Sequence, residues 1–212
     1  MIMHLLRLRA PSLSPASILA ITALLVLSAL PQHAAPQTFA GELVLNLDPA
    51  QSQMRWSLGS TVHTVHGTFA LKQGSLQLEP KSGKASGQIV VDATSGNSGN
   101  DSRDKKMHRE VLDSAHHGDI VFRPDRVEGK ISDHGTCSVQ VHGVFVLLGK
   151  EHELTVPVQA DLAADHWAGS AKFSVPFIDW GLKNPSNFLL KVDHVVEVEL
   201  ELKGSLQRVG AP

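Results

Sequence analysis

The segment Val196-Glu197-Val198-Glu199-Leu200-Glu201-Leu202-Lys203 alternates apolar and charged residues without a break. A strand turns successive side chains to opposite faces, so this pattern requires a sheet with one face in an apolar interior and the other in water. The period recurs along the chain. Met54, Trp56 and Leu58 alternate with Gln53, Arg55 and Ser57. Further sets are Leu76 and Leu78; Leu154, Val156, Val158, Ala160 and Leu162; and Ala171, Phe173, Val175 and Phe177. Turn residues separate these runs at hairpin intervals: Gln73-Gly74, Lys81-Ser82-Gly83, Glu128-Gly129, Asp133-His134-Gly135 and Leu148-Gly149-Lys150. Short strands with no strand-helix-strand rhythm predict an all-β fold, an antiparallel barrel or sandwich. Charged strand exteriors argue against a membrane barrel, which needs an outward apolar band. The segment Val139–Leu148 is apolar on both faces over its second half, which predicts an outer cover there.

One stretch departs from the strand pattern. Ser95 to Asn100 reads as a loop, with Asp101 as N-cap and Asp104 completing an approximate capping box. A short helix over Arg103 to Asp113, with Met107, Val111 and Leu112 on one side, is expected to plug or flank a barrel end.

The chain opens with Arg7 and Arg9 ahead of an uncharged apolar run, Ile18 to Leu30. That run is shorter than the roughly 20 residues a membrane helix needs and suits the core of an export signal. Residues 1–40 are therefore expected to be a signal peptide and short linker, cut after Ala34, Ala35 or Ala40. Residues 41–212 are expected to form the domain, with no stable membrane span once the signal is removed. No cysteine follows the apolar run, which argues against a lipid-modified N-terminus. Loss of Arg7 and Arg9 leaves 17 basic against 21 acidic residues, a net charge of −4 with His neutral. A mildly acidic domain without a basic stripe makes a poor nucleic-acid partner. Cys137 is the sole cysteine, so no intrachain disulfide can form.

Twelve histidines raise the question of metal or hydrolytic chemistry, and spacing answers it. His152-Glu153 begins a zincin-like motif, but Val156 stands where the second His is required, in a strand pattern rather than a helix. His63 and His66 have an odd offset that sends them to opposite faces of a strand. His116-His117 suits surface chelation of adventitious metal at most. Gly96-Asn97-Ser98-Gly99 falls one residue short of a nucleophile elbow and lacks a strong preceding strand. No catalytic residue, metal site or cofactor is expected. What remains is a large apolar interior, filled by side chains or holding one ligand.

Six stretches together carry a family resemblance: Ser52–Gly59 (SQMRWSLG), His63–Phe69 (HTVHGTF), Arg103–Leu112 (RDKKMHREVL), Asp119–Pro124 (DIVFRP), Val141–Phe145 (VHGVF) and Phe177–Ser186 (FIDWGLKNPS). With the alternating last strand, their order resembles the YceI-like family of polyisoprenoid-binding proteins. The chain departs from that pattern at His116-His117-Gly118, where an aromatic residue and a proline commonly precede the next strand. The resemblance implies an antiparallel lipocalin-like β-barrel of about eight strands, periplasmic or secreted, with an apolar tunnel for an isoprenoid lipid or quinone. Alternation selects Met54, Trp56, Leu58, Val196, Val198 and Leu200 as tunnel candidates, and Phe69, Phe122, Phe145, Phe173 and Val175 join them on other strands. Trp180 and Lys183 are candidate rim residues; equally, Trp180 could close the core and Lys183 be solvated. Monomer and homodimer both suit this reading. Its rivals are a packed barrel acting as an interaction or stress-response module and, last, a His-dependent enzyme.

Overall fold

The computed structural model describes residues 41–186, 188 and 190–210. The expected export signal over residues 1–40 lies outside the described residues. Nine strands form one antiparallel sheet: β1 (Glu42–Leu47), β2 (Gln53–Leu58), β3 (Val65–Leu78), β4 (Ala85–Asn97), β5 (Asp119–Glu128), β6 (Gly135–Leu147), β7 (Lys150–Leu162), β8 (His166–Val175) and β9 (Val196–Val209). From β3 to β9 each strand pairs with the next, and β1 and β2 both pair with β3 on one side and β9 on the other. The sheet therefore closes into a ring.

The nine strands occupy eight ring positions, because β1 and β2 are one broken strand. Leu43 to Leu47 oppose Arg208 to Gly204, and Gln53 to Ser57 continue along the same partner from Glu201 to Glu197. The break is a single 3-10 turn, Pro49–Gln51, in which the Asp48 carboxylate accepts from Ala50 N at 3.0 Å. Ser52 ties the break to β9: its Oγ donates to Asp48 O at 2.8 Å and accepts from Lys203 N at 2.9 Å. The ring thus continues through the interruption.

In β9, Val198, Leu202 and Leu206 are buried while Glu199, Glu201 and Lys203 are exposed. Opposite charges meet on the outer face: Lys172 lies across from Glu199, their Nζ and Oε1 2.7 Å apart, and its ammonium holds the Glu199 carboxyl below the usual range. Such exposed pairs favour solubility and pairing register more than stability. Val144 and Val146 do point outward from β6, and they are half-buried. Arg123 on β5 and Glu151 on β7 meet at 3.3 Å across β6 above these two valines.

The helix starts earlier and ends differently than its sequence suggests. Asn100, not Asp101, is the N-cap, its side-chain Oδ1 accepting from Arg103 N at 3.0 Å. Asn and Asp cap equally well, and the shift places Asp101 and Asp104 in the first turn, where the helix dipole favours them. Asp104 reaches back to Ser98 N at 3.0 Å. The α-helix α1 covers Asp101–Lys106 and widens over Met107–Val111 into a π-type turn, in which Leu112 N donates to Met107 O at 2.9 Å. His108 locks the exit: one ring nitrogen meets Gly96 O at 2.9 Å and the other meets Ser114 Oγ at 3.0 Å. Gly96 O can only accept, so Nε2 carries the proton there. Met107, Val111 and Leu112 pack into the main core, as the helix's apolar side requires.

Candidate ligand-binding site in the barrel interior

Two cavities follow one another along the ring. The one at the helix end has a volume of about 490 Å³ and is bounded by Trp56, Leu58, Phe69, Met107, Val111, Leu112, Val175, Phe177, Val196 and Val198 among others. The second, about 160 Å³, lies toward the opposite end among Leu43, Leu45, Leu78, Ile89, Phe122, Val139, Val156, Leu162, Trp167, Phe173 and Leu200. Met54, Ile120 and Phe145 belong to both linings and form a waist between them. The larger cavity falls within the roughly 300–1,000 Å³ typical of small-molecule sites. The smaller is about the size of apolar voids that stay dry and accept apolar guests.

Every tunnel candidate reaches this interior. Met54 and Phe145 sit at the waist; Trp56, Leu58, Phe69, Val175, Val196 and Val198 lie on the helix side, and Phe122, Phe173 and Leu200 on the other. Trp180 and Lys183 line neither cavity. The Trp180 ring stacks on His152, centroids 4.2 Å apart and planes at 5°, and packs against Phe145 at 5.5 Å. His152 pairs with Phe145 on the neighbouring strand. Trp180 thus closes a wall of the core. Lys183 Nζ engages Glu110 Oε2 at 3.0 Å, and this contact holds the Glu110 carboxyl below the usual range.

Several lining residues escaped sequence reasoning. Ile120 lies one alternation step before Phe122 and Trp167 two steps before Ala171, whereas Leu43 and Leu45 lie on β1, where no alternating set was identified. Trp56 needs space that no pattern signals. Gly67 lies opposite it, and a Cβ there would stand 2.3 Å from the indole ring. The glycine lets Trp56 lie flat in the lining, 8% exposed, with its Nε1–H buried and without a partner among the described residues.

The helix-end cavity has a polar mouth made by Ser60, His63, Ser102, Arg103 and Lys106. Arg103 is clamped by Ser98, donating from Nε to Oγ at 2.7 Å and from Nη2 to the carbonyl at 2.8 Å. Lys106 donates to Pro185 O at 3.0 Å and so ties the helix to the segment after β8.

Among the described residues, no group of three or more His, Cys, Asp or Glu side chains converges as a metal site would require. His63 precedes β3 in a turn, and His66 projects from the strand's exposed face. His116 and His142 instead pair with Asp113 and Asp125, each at 2.8 Å. Exhaustive chelation is therefore expected to leave the melting temperature and any bound lipid unchanged. Stoichiometric metal surviving dialysis, with unfolding on its removal, would overturn that expectation.

An eight-position antiparallel ring around an apolar hollow defines a lipocalin-like barrel, of the kind that accommodates one ligand. The chain belongs to the YceI-like domain family, which matches residues 45–204. Its fold is similar to that of a polyisoprenoid binding domain from Saccharophagus degradans implicated in plant cell wall breakdown, with a TM-score of 0.63 at 17% identity over 77% of this chain and 98% of that one. It is also similar to Burkholderia cenocepacia BcnA, with a TM-score of 0.61 at 14% identity over 74% of this chain and 99% of that one. No curated protein matches the sequence.

Proposed function

We propose that this protein is an exported carrier that holds the tail of an isoprenoid lipid, a polyprenol or isoprenoid quinone, along the barrel interior. The observation that carries this reading is the pair of apolar cavities aligned through the waist at Met54, Ile120 and Phe145. A 14-residue strand such as β9, inclined as barrel strands are, spans roughly 30–35 Å of barrel axis. That length suits an extended tail of several isoprene units, and each buried CH₂ contributes about 0.8 kcal/mol. Met54 is a fitting waist residue, since an unbranched thioether side chain repacks readily. The Arg7 and Arg9 leader with its apolar run supports a periplasmic or secreted location. Similarity to a polyisoprenoid binding domain supports the lipid class.

The test is mass spectrometry of the organic extract from protein isolated from its native compartment. An isoprenoid lipid at near-stoichiometric amount is the expected result. A lipid-free protein that also takes up no polyprenol or quinone added in detergent would replace the carrier with a solid-barrel interaction module.

A further inference from the structure

Arg103 and Lys106 line an apolar cavity, and among the described residues neither forms a salt bridge with a carboxylate. We infer that the helix-end mouth is a receptor for an anionic, phosphate-type head group on the lipid whose tail occupies the barrel. This rests on the carrier reading above and adds the chemistry of the head.

The two cations stand three residues apart, on one face of the helical segment, where like charges repel. The acids nearby are already engaged. Asp104 binds Ser98 N, and Glu110 binds Lys183 Nζ at 3.0 Å. Among the described residues Arg103 uses its Nε–H and one Nη2 bond on Ser98, leaving the Nη1 N–H groups uncommitted, while Lys106 gives one bond to a carbonyl and keeps others. Trp56 adds a buried indole N–H, without a partner among the described residues, in the same lining. These free groups are all donors, and two carry positive charge.

A tail entering this cavity displaces water from around the cations. A neutral head group would leave them desolvated without compensation, whereas an anion rich in acceptor oxygens satisfies both charge and donors. A phosphate monoester, with a charge of about −1.5 to −2 at neutral pH, matches the two cations better than a hydroxyl or a quinone carbonyl. Clamping by Ser98 holds the guanidinium fork in a fixed orientation, which favours recognition of a phosphate over a point anion.

The experiment compares a polyprenol with the monophosphate of the same polyprenol, titrated into delipidated full-length mature protein and followed by tryptophan fluorescence. The monophosphate is expected to bind at least about tenfold tighter, the difference a charge-assisted contact supplies, and its advantage should shrink at high salt. In Arg103→Gln and Lys106→Met the ratio of the two affinities should fall toward one. Arg103 also holds the Ser98 loop, so Lys106→Met, which keeps an unbranched stem and removes the charge together with the single bond to Pro185 O, carries the test if the arginine variant misfolds. Equal affinities in the wild type, or an unchanged ratio in folded Lys106→Met, would overturn the head-group assignment while leaving the carrier intact. Failure of both lipids to bind would remove the carrier and this inference together.

Discussion

Replacing Val198 by Trp is expected to abolish retention of a long-chain lipid while the barrel still folds. Val198 lies on β9 opposite Trp56 and Phe173, is 3% exposed, and lines the helix-end cavity just above the waist. An indole projecting from this position enters the 490 Å³ of space and blocks the route to Met54, Ile120 and Phe145. Because the new ring has room, the melting temperature should change little. In a fully packed interior the same substitution would overpack the core and cost roughly 1–3 kcal/mol. Lipid content and thermal stability measured on one preparation therefore separate a hollow barrel from a solid one. Loss of lipid at constant stability is the expected pair. A large drop in melting temperature with no lipid in the wild type would mean that side chains fill the lumen.

How much of this was legible in the sequence depends on the range of the interaction that fixes each feature. The final strand shows both its faces because alternation is local: Glu199 and Glu201 must stay in water if Val198 and Leu202 leave it. The ring count of about eight came from the family resemblance and not from the alternation, and the break at Pro49–Gln51 makes those eight positions out of nine strands. The cap was misplaced by one residue because Asn100 and Asp101 are near-equal caps, and the choice falls to contacts of Ser98 with Arg103 and Asp104. The sequence left Trp180 and Lys183 equally as rim residues or as a core-closing ring and a solvated lysine, because their partners, His152 and Glu110, come from distant elements. The polar mouth was illegible for the same reason. Nothing in a stretch containing Arg103 and Lys106 states that its helix lies across a barrel end.

Gly204→Ala should be among the most destabilising single-methyl changes in this protein. Gly204 belongs to the inward column of β9 between Leu202 and Leu206, and faces Leu47 on one side and Trp167 on the other. A Cβ built there would stand 1.8 Å from Asn46 O, 2.8 Å from Asn46 C and 2.9 Å from Trp167 Nε1. Two of those atoms are backbone and cannot rotate away. The third is the indole nitrogen that donates to Asn46 O at 3.4 Å, so the methyl would wedge into the contact seating Trp167 at the far end of the interior. Relief requires β1 to move away from β9, at the point where the broken first strand completes the ring. The expected cost is at the upper end of the roughly 1–3 kcal/mol seen for overpacking. In a domain of this size that lowers the melting temperature by about 6–12 °C, with a change in the near-ultraviolet signal of Trp167. Gly118→Ala supplies the contrast, because the nearest atoms to its Cβ are at 3.7 and 3.9 Å, ordinary contact distances. That substitution should be neutral or stabilising by up to roughly 0.4–1 kcal/mol, through reduced freedom of the unfolded chain. Equal melting temperatures for the two variants would mean that β1 and β9 separate at little cost, and that the ring is held closed elsewhere.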